Sequence, residues 1–216
     1  MDPFTLADIK TSVRGLLDDD QYDEDIITEA ANWYVFELFN NTRTRLMEAS
    51  ATLSASQGDT TLDMPRDFMT RISLYATVPS VFDMSDNYVS YQEFMRNHAN
   101  FATATAARIG RWTDYGLGIR FSAPISTDGT FQLDYLREPE EMVSDSDECE
   151  VPRRYSELVS KGTLARIMER NEDYAEAAQE RQNMEPLVTT FIRNEARGGG
   201  KTGPIIMGTR RRNRYE

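Results

Sequence analysis

The spacing of apolar residues changes period twice along this chain, and that change limits the folds open to it. Leu6, Ile9, Val13, Leu16 and Leu17 recur at helical spacing, with Thr5 placed to cap the start. In the middle, Ile72, Leu74 and Ala76 alternate with Arg71, Ser73 and Tyr75. Ile119, Phe121 and Ala123 alternate with Arg120 and Ser122, and Phe131, Leu133 and Tyr135 with Gln132 and Asp134. These are the patterns of half-buried strands. Beyond Glu150 the helical period returns. Tyr155, Leu158, Val159, Gly162, Ala165 and Met168 form one stripe. Tyr174, Ala177, Ala178, Arg181, Met184, Val188, Phe191 and Ile192 form the inner face of a last helix. The fold class expected is mainly α with a β insertion (α+β): a four-helix bundle, a small antiparallel β-rich insertion and an extended C-terminal arm.

Local signals place the boundaries. The acidic link Asp18–Asp25 supplies Asp23 as a cap for a second helix, expected to run to about Glu48. Its segment Trp33 to Phe39 is apolar on nearly every side, which predicts burial between several elements, Phe36 included. At 1.5 Å per residue such a helix is about 35–40 Å long, the central rod of a bundle. Asp128-Gly129 is a hairpin signal between the last two strands. Tyr88 to Asn97 reads as a short helix within the insertion. Asn171 is placed to cap the last helix and Pro186 to kink it. Gly198-Gly199-Gly200 ends regular structure. The expected division is residues 1–49 and 138–197 for the two halves of the bundle, 50–137 for the insertion and 198–216 for the arm.

With 216 residues, 39% hydrophobic and 28% charged, the chain can bury a core without disulfides or metals. Its net charge is −12. Residues 198–216 carry Lys201, Arg210, Arg211, Arg212 and Arg214 against Glu216, a net +4, which leaves −16 on residues 1–197. An acidic body repels phosphate at range and does not grip nucleic acid. One cysteine, Cys149, allows no intrachain disulfide and fits a reducing compartment. Met1-Asp2-Pro3 has no basic start and no apolar run after it, so no signal peptide is expected. The densest apolar stretch, Ala30 to Phe39, is too short and too polar to span a bilayer.

Little in the chain suggests catalysis. His98 is the only histidine, which excludes a zinc or iron site needing two, and no Gly-x-Ser-x-Gly elbow accompanies it. Cys149 stands in an acidic loop, where carboxylates oppose thiolate formation. Gly199-Gly200-Lys201-Thr202 lacks the earlier glycine of a phosphate-binding loop, having Glu195 there, and follows a helix, so it reads as a hinge. Asp18–Asp25 and Glu138–Glu150 do not follow a calcium-loop pattern and read as solvated linkers. No cofactor and no metal are therefore expected. The aromatic run at Trp33 to Phe39, on a long helix, reads as core, not as a base-stacking platform.

The basic tail has three readings: a solvated end, a nucleic-acid contact through Arg210 to Arg214, or a docking segment. The third is favoured because Pro204-Ile205-Ile206-Met207, short, apolar and β-prone, precedes Arg210, Arg211, Arg212 and Arg214. Such a segment can fill a groove or extend a partner's sheet while the arginines pair with carboxylates.

Several short patterns, in order, resemble the head-to-tail adaptor (connector) proteins of tailed bacteriophages. Leu62-x-Met64-Pro65-x-Asp67-Phe68-x-x-Arg71-Ile72 is similar to that family's entry into its β insertion. Ile119-x-Phe121-x-x-Pro124 and Leu133-Asp134-Tyr135-x-x-x-Pro139 are similar to its hairpin and exit. Val151-Pro152-x-x-Tyr155-x-x-Leu158-x-x-x-Gly162 is similar to the start of its third helix. The resemblance covers about residues 6–197. It implies a helix bundle with a β insertion, twelve copies in a ring, no cofactor and no catalytic residues. It also implies a C-terminal arm reaching a neighbouring copy or the portal protein. Such a ring sits in the virion neck, continues the DNA channel so that dsDNA passes without sequence-specific binding, and offers its lower face to a tail or nozzle protein. Assembly would take place in the host cytoplasm. The alternatives are a stopper or tail-completion protein one layer below, and a DNA-binding accessory protein using the basic tail.

Overall fold

A computed structural model describes residues 3–78, 81–98 and 110–196. These fall into two compact units. One contains residues 3–34, Thr42–Thr44 and residues 142–196; the other contains Val35–Asn41 and Arg45–Glu141.

The first unit is helical. Helix α1, Leu6–Leu17, begins with the capping box that Thr5 predicts. The Asp8 N–H donates to Thr5 Oγ1 at 3.4 Å and the Thr5 N–H to Asp8 Oδ2 at 3.1 Å. The other free amides of its first turn, Leu6 and Ala7, donate to the carbonyls of Asp147 and Asp145 at 3.0 and 3.1 Å. The acidic segment after Glu138 is thus no solvated linker. Asp147 also accepts from the Val143 and Ser144 amides, both at 2.8 Å, which hold its carboxyl below the usual range. Buried Lys10 donates to Asp145 at 2.5 Å and to Glu24 at 3.3 Å. Asn32 exchanges two hydrogen bonds with the Met142 backbone, at 2.8 and 2.9 Å.

Helix α2, Glu24–Asn41, starts where Asp23 accepts from the Asp25 amide at 2.9 Å. It stops seven residues short of the expected Glu48, because Asn40-Asn41-Thr42 are poor helix formers and a 3₁₀ turn, Arg45–Met47, follows. It is also not buried all round. Tyr34, Val35, Leu38 and Phe39 are buried, but Trp33 and Phe36 are 39% and 44% exposed. Helix α4, Ser156–Arg170, packs on α1 and on α5, Tyr174–Glu195. (Helix α3, Tyr91–Asn97, belongs to the other unit.) Gly162 lets α4 approach α2, since a Cβ there would lie 2.1 Å from the Tyr34 ring. Asn171 ends α4 instead of capping α5: its amide donates to the Ile167 carbonyl at 3.0 Å, and Asp173 holds the α5 cap position without a side-chain bond. Helix α5 continues through Pro186. Its buried apolar residues Ala177, Met184 and Phe191 are seven apart, a narrow stripe that leaves Tyr174, expected inside, 66% exposed.

The second unit is built from two antiparallel sheets. In one, the order is β1-β7-β3-β4, with β1 Glu48–Ala55, β3 Phe68–Val78, β4 Phe82–Asp83 and β7 Gly129–Arg137. In the other it is β2-β6-β5, with β2 Thr61–Asp63, β5 Trp112–Tyr115 and β6 Gly118–Phe121. Helix α3, Tyr91–Asn97, is capped by Ser90 and buries Phe94. Leu62, Leu74, Trp112, Phe121, Phe131 and Tyr135 share one core drawn from both sheets. Between Arg71 and Ser73 a bulge interrupts the alternation expected of β3.

These sheets overturn the expected four-helix bundle with a small β insertion. The fold is α+β, with five α-helices among the described residues. One helix is confined to the β unit, and α2 is divided between the two units and cannot be the rod of a bundle. The hairpin expected at Asp128-Gly129 does not form either, because β6 and β7 belong to different sheets. Asp128 instead accepts from the Gln57 amide at 2.7 Å. A Cβ on Gly129 would lie 2.5 Å from the Val78 carbonyl oxygen, so glycine is required there by the approach of β3.

Candidate functional site

Two features of the helical unit bear on function. The first is the point from which residues 197–216 depart. At the end of α5 the carboxylate of Glu195, 1% exposed, forms an ion pair with Arg154 and accepts from the Tyr155 hydroxyl at 2.9 Å. The Tyr155 ring in turn meets that of Phe191 edge to face at 5.0 Å. Ala196 then forms an antiparallel bridge with Thr44, itself buried. The departure point is therefore fixed by side-chain and backbone bonds together.

The second is a cleft of about 470 Å³ walled by α2, α4 and α5. Its apolar lining comes from Ala30, Trp33, Tyr174, Ala177 and Ala178. The guanidinium of Arg166 lies 3.8 Å over the Trp33 ring. Its other charges are paired. Glu169 accepts from Arg166 at 3.0 Å and from Arg181 at 2.6 Å, and Arg170 donates to Glu29 at 2.5 Å. Burial raises the Glu169 pKa, but the two arginine hydrogen bonds outweigh it and hold the carboxyl below its usual range. With its three arginines all paired to the two glutamates, the cleft offers aromatic and aliphatic surface to a ligand, and no nucleophile or proton-transfer pair.

The other sequence candidates lie elsewhere. His98 caps the end of α3, its ring 5.5 Å from that of Phe94. Cys149 is buried, with its amide on the Phe4 carbonyl at 2.7 Å. Burial, with a smaller push from Glu150, raises its thiol to about 11, so desolvation is the larger reason for its low reactivity. Among the described residues no group of acidic, histidine or cysteine side chains is placed to hold a metal. No helix among them is long and apolar enough to cross a membrane. Pro204, Ile205, Ile206, Met207, Arg210, Arg211, Arg212 and Arg214 lie outside the described residues. Sequence reasoning missed the cleft because its walls come from three separate helices. The available signal was the Arg166-Glu169-Arg170 cluster, whose charges face Trp33 and Arg181.

The family model described as SU10 adaptor protein matches residues 4–204. No curated protein matches the chain.

Proposed function

From the premise that the chain belongs to the SU10 adaptor protein family, a family of phage head–tail adaptors, we propose that it forms a ring joining the capsid portal to the tail. Membership makes it a structural component of the virion that meets head and tail parts. The ring, the portal contact and the DNA channel are the finer reading. The family match over residues 4–204 carries that reading.

Charge supports it. A body of −16 presents like charge to DNA, which carries about one charge per 1.7 Å of axis. Repulsion keeps DNA from adhering as it slides through a channel during packaging and ejection. Closed rings need heterologous contacts related by rotation, and a separate arm, residues 198–216, is one means of making them. The arm's proposed contact residues are Pro204, Ile205, Ile206 and Met207 with Arg210, Arg211, Arg212 and Arg214. Twelve copies is the number proposed, assembled in the host cytoplasm, and the role is not catalytic.

The test is to combine the full chain with its portal protein and measure the mass of the complex. A complex heavier by about twelve chains supports the reading, and a portal that takes up none overturns it. The Arg210–Arg214 cluster favours a second reading, a DNA-binding accessory protein. Tight, salt-sensitive retardation of DNA by the full chain, lost when Arg210, Arg211 and Arg212 become Glu, would favour it.

A further inference from the structure

We propose that the cleft of α2, α4 and α5 receives Pro204–Met207 of a neighbouring copy, with that copy's Arg210–Arg214 lying over the acidic link Asp18–Asp25. The inference rests on the ring reading and says which surfaces close the ring.

The cleft and the link form a surface of two kinds, apolar and acidic. Trp33 is 39% exposed and Tyr174 66% exposed, large apolar surfaces left open on a helical body. The three cleft arginines are all paired with Glu29 and Glu169, so a ligand meets no lone charge within, only a formal excess of one arginine. Next to this floor stands the acidic link. Tyr22, in its middle, accepts through its hydroxyl from Asn171 at 3.5 Å, which places the link at the turn between α4 and α5, beside Arg170 and Tyr174. Asp18, Asp19, Asp20, Asp23 and Asp25 are all exposed. An apolar floor followed by aspartates is the complement, in order, of an apolar segment followed by arginines. The residues 204–207 and 210–214 have that order, separated by two residues. Apolar residues in a cleft supply contact area, while the arginine–carboxylate pairs set direction.

Reach selects a second copy over the same chain. The cleft lies at the start of α5, whereas residues 197–216 depart from its end. Ala178 is 18 residues before Ala196, about 27 Å back along the helix. Reversing direction takes about four residues. Of residues 197–205 that leaves five, which span about 17 Å when fully extended. The chain's own Ile205 falls short of its own cleft. A neighbour in a ring is not bound by that limit, and the bonds of Glu195 and Ala196 give the arm of every copy the same origin.

The experiment uses full-length chains. One population carries Ile206→benzoylphenylalanine, a photo-crosslinking residue; the other is uniformly labelled with nitrogen-15. The two are mixed, assembled with and without portal protein, and irradiated. Cross-links between light and heavy copies, mapped to peptides containing Trp33 or Tyr174, are expected. Ala178→Trp fills the cleft and should cut their yield at least ten-fold with unchanged helicity by circular dichroism. Asp19→Lys with Asp20→Lys should lower the yield, and adding Arg210→Glu with Arg211→Glu on the arm should restore it. Cross-links confined to one copy, to portal or to another surface overturn the proposal, as does an unchanged yield from folded Ala178→Trp. A ring on the portal without the cleft cross-link overturns this inference and leaves the ring. A cleft cross-link with no ring on the portal overturns the ring and leaves this inference.

Discussion

Each unit contains a partly buried arginine–carboxylate pair, and the two respond to burial in opposite ways. In the helical unit Glu169 is gripped by two arginines, Arg166 and Arg181, and its carboxyl is held below the usual range. In the β unit Asp114 pairs, among the described residues, with Arg71 alone, beneath aromatic rings. The Arg71 guanidinium lies 3.2 Å over the Tyr88 ring and 5.9 Å from that of Trp112. There desolvation is the largest influence and Asp114 is pushed up despite its partner. The difference lies in the number of donors available to offset lost water. It marks the helical unit as one held at its edges by matched ions and the β unit as one held by aromatic packing.

The strongest test of that contrast is Trp112→Ala. Trp112 is fully buried, donates to the Met84 carbonyl at 2.7 Å and meets Tyr88 edge to face at 5.1 Å. Removing it should cost the β unit about 3–5 kcal/mol in urea unfolding followed by circular dichroism. The chain has two tryptophans, so the remaining one, Trp33, then reports on the helical unit alone. A loss under 1 kcal/mol would show that aromatic packing does not dominate there.

A smaller effect should separate two glycines within the helical unit. Gly162→Ala forces a methyl into the Tyr34 ring and should destabilise by about 1–3 kcal/mol. Gly15→Ala, on α1, meets nothing within 4 Å and should stabilise by about 0.5–1 kcal/mol. The same sign for both, in thermal melts, would break the claim that α4 is seated on α2 at Gly162.

The smallest effect is in pH. Glu169 has a lowered folded pKa, so the stability it contributes is present above its unfolded value near 4.5 and is lost as pH falls through the folded value. Asp114 has a raised folded pKa, so its contribution is present below its unfolded value near 3.8 and is lost as pH rises through the folded one. Acidification should therefore weaken the helical unit while easing the strain on the β pair. Glu169→Gln should cost about 0.5 kcal/mol at pH 7, and that difference should fade as pH drops below 4.5 and through the lower folded value. A difference that persists there would place the stabilisation in packing instead of charge.

Where the sequence was legible, strong side chains repeated at one period. Helix α1 with its Thr5 cap and the cores of β6 and β7 follow from large apolar residues at regular spacing, while the bulge between Arg71 and Ser73 breaks that spacing in β3. Strand β1 was not legible, although its alternation is complete. Ala49, Ala51, Leu53 and Ala55 point inward while Glu48, Ser50, Thr52 and Ser54 point out. Alanine carries too little apolar contrast against serine to reveal the period. The opposite failure occurred at Phe36 and Tyr174, whose size suggested burial that the packing does not supply. Asp128-Gly129 had the chemistry of a hairpin, but its glycine answers a contact with Val78, far away in sequence. The Trp33 cleft was out of reach of any one-helix pattern.

The sealed position of Cys149 has a practical consequence. At pH 8 a thiol with a pKa of about 11 is ionised about one part in a thousand, before its burial is counted. Since it is the only cysteine, a single new one placed on the surface would be the sole ready target for a maleimide dye. Distances between such dyes on successive copies would then give the geometry of the proposed ring in solution.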